Sequence, residues 1–122
     1  MTVPDAAARF RQEYERLNHD VYRGTLPAFP GVEVVDRKDI FSMTRTHGAG
    51  PWRVLRPFLL SAHVQGDLLL EAARHEVAHA AALLFDEDED HGPAWQEHAR
   101  RCGARQIATL DDGDPLRKDW PA

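Results

Sequence analysis

The chain has 122 residues, enough for one domain of ordinary size and too few for two. Hydrophobic residues make up 43% and charged residues 29%, which is typical of globular domains and excludes disordered and fibrous classes. No apolar run is long enough to cross a bilayer, and the N-terminus lacks the apolar segment of a secretory signal. A single cysteine, Cys102, excludes an internal disulfide framework and favours a reducing compartment. We therefore expect a cytoplasmic protein that does not associate with membranes.

The net charge of −5 is unevenly distributed along the chain. Residues 1–85 contain ten basic and ten acidic residues, whereas residues 86–122 contain five basic and ten acidic ones. The acidic excess lies mostly in residues 86–90 and 111–114. The overall charge argues against a general nucleic-acid binder, but it leaves room for a local basic surface in the first part of the chain.

The first half of the chain predicts one helix followed by short strands. Pro4 suits a first helical turn, and apolar side chains recur at helical spacing up to about His19. Residues 32–35 and 40–46 are rich in β-branched or aromatic residues and bounded by turn residues, which predicts strands. Residues 54–62 predict a further extended segment that Pro57 interrupts, which favours an edge position. A substrate peptide could add to such an edge, although a plain core strand fits the segment equally well.

The second half predicts two helices. Apolar residues from about position 65 to 85 indicate a long, largely buried helix, and an acidic loop follows it. Pro93 begins a last helix that ends near Cys102, before Gly103. The fold class is therefore α+β, with three main helices packed against a small antiparallel sheet of about three strands. We expect the domain to span residues 1–110 and residues 111–122 to form an acidic, weakly ordered tail.

The long helix carries the sequence His75-Glu76-Val77-Ala78-His79. Histidines four residues apart lie on one helical face, one turn apart, and can bind one metal ion. Glu76 lies beside the first histidine, where it could activate a water molecule. Taken alone, a five-residue pattern of this kind also fits an exposed polar patch on an amphipathic helix.

A catalytic zinc site usually has three protein ligands and one open position. The best third candidate is His91, because a reversal through the acidic loop would return it to the helix that carries His75 and His79. Trp95 would then bury its ring against the site.

HEVAHA followed by HGPAW resembles the SprT-like zinc metalloprotease family, which includes the Spartan proteases acting on DNA–protein crosslinks. Two further stretches resemble that family in the expected order: residues 17–27, with LN and GTLP, and residues 58–61, FLLS. The resemblance covers residues 10–103. It implies a zincin-like minimal metalloprotease domain that binds one Zn²⁺ through His75, His79 and His91, with Glu76 as the catalytic general base.

Several members of the family carry a C-terminal zinc ribbon with four cysteines, whereas this chain has one cysteine. We expect Cys102 to be buried in packing and His98 to lie at the surface or behind the ligands. The residue that stabilises the oxyanion is not determined by the sequence; His63, Tyr22 and Arg74 are candidates. We expect a monomer.

Residues 40–66 contain no acidic residue. Basic side chains with interleaved aromatic rings are typical of single-strand binders, so we expect a weak, salt-sensitive contact with single-stranded DNA or with substrate. Solvated arginines over a core of aromatic rings would give the same pattern. The candidate contact residues are Arg45, Trp52, Arg53, Arg56 and His63.

The sequence thus predicts a zinc metalloendopeptidase that hydrolyses protein or peptide substrates, with DNA-bound or crosslinked proteins among the candidates. A non-proteolytic metal-binding or interaction module on the same fold is the alternative. A metallohydrolase of a non-peptide substrate also fits.

Overall fold

The computed structural model describes residues 2–88, 90–105 and 114. Three helices and five short strands follow one another in the order α1, β1 to β5, α2, α3. The helices are α1 (Val3–Asp20), α2 (Gly66–Asp86) and α3 (Pro93–Cys102). The strands are β1 (Val32–Val35), β2 (Ser42–Met43), β3 (Thr46–His47), β4 (Val54–Leu55) and β5 (Phe58–Ser61). The α+β class and all three predicted helices are confirmed.

Helix α1 packs its apolar face on the sheet and on α2. Thr2 caps the helix by accepting a hydrogen bond from the Asp5 main-chain N–H, and proline lies in the first turn. Phe10 and Tyr14 are buried and contact the ring of Phe58 on β5 at centroid distances of 5.1 and 5.8 Å. This aromatic contact fixes α1 against the central strand of the sheet.

The three-stranded sheet has the order β1-β5-β2 and is mixed. Strand β5 pairs in parallel with β1 and antiparallel with β2, so the prediction of a wholly antiparallel sheet is wrong. The chain between β1 and β5 forms β2 and a separate two-stranded ribbon of β3 and β4, and it thereby supplies the crossover that parallel pairing requires.

Pro57 separates β4 from β5, as its position predicts. The prediction of an edge strand is nevertheless wrong for β5, because β1 and β2 flank it on both sides and its four residues are all buried. Strand β5 therefore has a neighbouring strand on each side and lacks the free edge to which a substrate peptide could add.

Helix α2 runs through the core, with both α1 and α3 packed against it. Among the described residues, no helix has the length and apolarity needed to span a membrane. The expected tail, residues 111–122, lies outside the described residues except for Asp114, which forms an ion pair with Arg105.

Candidate metal centre

Helix α2 brings two histidines and a glutamate close together in a largely buried helix. His75 and His79 are half-buried, and Glu76 between them is only 4% exposed. The imidazole centroids of His75 and His79 lie 4.8 Å apart, as expected for residues stacked one turn apart on one face.

A tight reversal between α2 and α3 brings His91 to the same place. Helix α2 ends at Asp86, and Glu87 adopts a left-handed conformation with φ 54°. The Asp88 carboxylate then accepts a hydrogen bond from the Asp90 main-chain N–H, which closes a turn just before His91. Part of the acidic run therefore builds the loop that carries this histidine.

The three imidazoles converge through their Nε2 atoms. His79 Nε2 lies 3.0 Å from His91 Nε2, and His91 Nε2 lies 3.3 Å from His75 Nε2. Two nitrogens bound tetrahedrally to one ion at about 2.0–2.1 Å would be about 3.3 Å apart, so this donor set fits a single metal ion. Among the described residues, His75, His79 and His91 form the cluster able to hold one.

The protonation of the cluster also suits metal binding. Burial lowers the pKa of His75 to about 4, and the neighbouring His91 adds to the shift. Burial lowers the pKa of His79 to about 4 as well, against an opposing effect of the Glu76 carboxylate. Both imidazoles are therefore neutral at pH 7, and each offers a lone pair to a cation.

Trp95 forms the floor of the cluster, as the sequence predicts. Its side chain is fully buried, and its ring centroid lies 4.9, 5.3 and 4.6 Å from those of His75, His79 and His91. Its indole N–H donates to the His75 carbonyl at 3.4 Å. One rigid ring thus contacts all three imidazoles.

Two hydroxyl groups hold the Glu76 carboxylate. Ser42 Oγ donates to Glu76 Oε2 at 2.6 Å. Thr44 Oγ1 lies 2.6 Å from Oε1 and 3.0 Å from the main-chain oxygen of the same residue. Both hydroxyls come from β2 and the residue that follows it, 34 and 32 positions before Glu76.

Sequence reasoning missed Ser42 and Thr44. A signal was present, because hydroxyl residues at 42, 44 and 46 alternate along a predicted strand and so share a face. A strand facing buried helices would normally present apolar residues there.

The candidate oxyanion residues have other partners in the structure. The buried Tyr22 hydroxyl lies 2.8 Å from His98 Nδ1 and 3.4 Å from Cys102 Sγ. His63 Nε2 lies 2.7 Å from an Asp36 carboxylate oxygen. Arg74 Nε lies 3.7 Å from Glu13 on α1.

His98 is not at the surface, contrary to one of the two predictions for it. The residue is 6% exposed, and its Nε2 lies 2.8 Å from Asp86 Oδ2 at the end of α2. The two ring nitrogens of His98 on α3 thus contact Asp86 at the end of α2 and Tyr22 in the loop after α1. Cys102 is buried beside Tyr22, as predicted.

The five predicted contact residues outside the cluster differ in exposure. Trp52 is 82% exposed at the tip of the β3–β4 ribbon, and Arg56 is exposed after β4. Arg45 is half-buried and contacts Glu33 and the Pro57 carbonyl. The Arg53 guanidinium donates to Thr46. The structure therefore leaves one aromatic ring and one arginine prominently exposed in this segment.

The described residues thus define a small α+β domain with a three-histidine centre suited to one metal ion and a buried glutamate beside it. A family model described as the SprT-like family matches residues 10–114, and the chain belongs to this family. Neither a curated protein nor a solved structure matches the chain significantly.

Proposed function

We propose that this protein is a zinc-dependent metalloendopeptidase. The observation that carries the proposal is the convergence of three imidazoles beside a buried carboxylate. Imidazole donors suit zinc, and three protein ligands with one open position are typical of catalytic rather than structural zinc sites. Membership of the SprT-like family supports the same conclusion.

The chain supplies the acid–base chemistry of peptide hydrolysis. His75, His79 and His91 would hold the ion, and zinc bound there would polarise the substrate carbonyl and acidify a water molecule. The Glu76 carboxylate accepts the proton from the attacking water and then delivers it to the leaving amine. Ser42 and Thr44 occupy one lone pair on each Glu76 oxygen, so each oxygen can still accept a hydrogen bond from water.

An extended substrate would bind at the outer edge of β2. No described strand pairs with that edge, and the residues beside it contact Glu76 directly. Main-chain pairing there would place a peptide next to the cluster, in the manner of a strand added to a sheet. This replaces the expectation that the peptide adds to residues 54–61.

The alternatives are a non-proteolytic metal-binding module and a hydrolase of a non-peptide substrate. A purely structural site needs no general base, so the buried Glu76 beside the ligands favours an enzyme. The outer edge of β2, which lies beside Glu76 and pairs with no described strand, favours a polypeptide substrate.

Cleavage of casein by the zinc-loaded protein, compared with Glu76→Gln, tests the proposal. Removing a general base costs about 10²–10⁴-fold, so we expect cleavage by the variant to be lost while its zinc content stays at one ion per chain. Chelation should abolish cleavage, and added zinc should restore it. Wild-type cleavage rates in Glu76→Gln would contradict the mechanism, and no cleavage by either protein would favour the non-proteolytic module.

We also propose a weak contact with single-stranded DNA, which would direct the peptidase to DNA-bound or crosslinked proteins. The exposed Trp52 and Arg56 support this, because a free aromatic ring can stack on bases and a cation attracts phosphates. No acidic residue lies between positions 40 and 66 to oppose the attraction.

Titration of a thymidine oligonucleotide at low salt tests the DNA contact. Trp52→Ala should weaken binding by about tenfold, the effect of losing one stacked base. Arg23→Gln, which removes an exposed arginine in the turn after α1, is the control and should change binding less than about twofold. Equal binding by the wild type and Trp52→Ala would contradict the proposal.

A further inference from the structure

The hydroxyl groups of Ser42 and Thr44 contact the Glu76 carboxylate from a different part of the chain. One hydroxyl donates to each carboxylate oxygen, both at 2.6 Å. The carboxylate is almost fully buried, so these two contacts replace much of the hydration that it loses. A charged acceptor held in this way has little freedom to rotate.

We propose that Ser42 and Thr44 are positioning residues that fix the orientation of Glu76 for proton transfer. This inference rests on the proposed metallopeptidase function and goes beyond it, because it assigns a role to two residues outside the HEVAH motif.

The position of these hydroxyls on the sheet links them to the substrate as well. The Phe41 carbonyl accepts a hydrogen bond from the Ser61 N–H at 2.9 Å, so the main chain of Phe41 faces β5. In an antiparallel pair the bonding direction alternates, so the main-chain N–H and C=O of Ser42 in β2 face away from β5. Thr44 is the first residue after the end of β2. Ser42 therefore presents its side chain to Glu76 and its main chain to the outer edge, and Thr44 lies just beyond the end of that edge.

This arrangement couples the register of a bound peptide to the orientation of the base. A peptide paired with Ser42 would restrain the short stretch of backbone that carries both hydroxyls. Loss of the hydroxyls should accordingly reduce turnover, with little effect on metal binding or on substrate affinity.

The first measurement asks whether the contact exists, independently of any activity. Urea unfolding at a fixed zinc concentration is compared for the wild type, Ser42→Ala/Thr44→Val, Glu76→Leu and the triple variant. Either partial change leaves a buried polar group without its partner, whereas the triple variant removes both sides. Each variant raises the equilibrium constant for unfolding by some factor relative to the wild type. We expect the factor for the triple variant to be at least about fivefold smaller than the product of the factors for Ser42→Ala/Thr44→Val and Glu76→Leu.

The second measurement asks whether the contact positions the base. Ser42→Ala and Thr44→Val should each lower kcat by about tenfold, with KM and zinc content changed less than about threefold. Thr44→Ser keeps the hydroxyl and should retain kcat to within about threefold. Thr25→Val is the matched control, because it deletes a hydroxyl that donates instead to the Tyr22 carbonyl.

The outcomes separate the two proposals. If the effects of the separate changes on the unfolding constant simply multiply in the triple variant, the positioning role alone is overturned. The same holds if both hydroxyl variants keep the wild-type kcat while Glu76→Gln is inactive. An active Glu76→Gln would overturn the peptidase mechanism and, with it, the role of the two hydroxyls. Non-multiplicative unfolding together with a selective loss of kcat supports the inference.

Discussion

Trp95 is the single side chain on which the geometry of the three imidazoles most depends. It is fully buried, contacts all three rings and donates to the His75 carbonyl. A smaller residue would leave a cavity beneath His91, and the ligand at the end of the loop would lose its support.

Trp95→Ala should destabilise the protein by about 3–5 kcal/mol and weaken zinc binding, because the cavity lies directly against the ligands. Trp95→Phe keeps an aromatic ring and should cost only about 1–2 kcal/mol. Urea unfolding and competition with a zinc chelator measure the two effects. Trp52→Ala is the control and should change stability by less than about 0.5 kcal/mol, since Trp52 is 82% exposed. Equal effects of Trp95→Ala and Trp95→Phe would contradict the role of the ring.

Residues whose roles follow from local spacing were predictable. His75, Glu76 and His79 lie within one helical turn, so the sequence alone places them together. Ser42 and Thr44 were not, because their contact with Glu76 depends on how β2 pairs with β5 and on the packing of β2 against α2. Sequence reasoning described each of these elements but not their mutual register.

At the scale of elements, the reversal between α2 and α3 determines whether the centre forms. Asp86 at the end of α2 accepts a hydrogen bond from His98 on α3, and His98 in turn contacts Tyr22. This chain of contacts joins the two helices on either side of the loop that carries His91. The sequence did not reveal it, because the burial of His98 depends on helix packing and not on its neighbours in the chain.

Asp86→Ala should therefore destabilise the protein by about 1–3 kcal/mol, because it leaves the buried His98 Nε2 without its acceptor. Zinc binding should weaken in parallel as the loop loosens. Asp90→Ala removes the same charge from the loop that follows Asp86. The Asp90 side chain makes no described hydrogen bond or ion pair, so stability should change by less than about 0.5 kcal/mol. Thermal unfolding of both variants, with and without zinc, makes the comparison. Equal losses would mean that the loop responds to net charge and not to the contact with His98.

The sheet shows a second limit of sequence reasoning at this scale. Pro57 correctly predicted a break between two extended segments, but it did not reveal that β5 is the central strand. Parallel pairing of β1 with β5 joins segments that are distant in sequence, and no local pattern specifies such pairing. We therefore propose the outer edge of β2, and not β5, as the edge to which a peptide would add.

For the whole molecule, the net charge of −5 conceals two kinds of acidic residue. The Asp86 and Asp88 carboxylates take part in the contacts that build the reversal, whereas the Asp90 side chain makes no described hydrogen bond or ion pair. The segment from 40 to 66 has no acidic residue, and it carries the exposed Trp52. A DNA contact there is consistent with the overall charge, because the acidic excess belongs to another part of the chain.

Stability of the metal-free protein should depend on pH through the ligands themselves. The pKa values of His75 and His79 fall from 6.5 to about 4 on folding, because burial disfavours their charged forms. As the pH falls below 6.5, the unfolded chain binds protons at these positions before the folded protein does. The free energy of unfolding should therefore decrease from about pH 6.5 to about pH 4 and then level off for these groups. Each histidine can contribute a slope of at most about 1.4 kcal/mol per pH unit.

Urea unfolding of the chelator-treated protein at intervals between pH 7 and pH 4 measures this slope. Carboxylates and other histidines also titrate in the range, so the wild type is compared with the double variant His75→Asn/His79→Asn. The double variant lacks both buried imidazoles and should show the smaller loss of stability on acidification. Neither its folded nor its unfolded state binds a proton at those two positions between pH 7 and pH 4. Identical slopes in the two proteins would mean that His75 and His79 are not held neutral by folding. Deprotonation of the two imidazoles would then depend on binding of the metal ion itself.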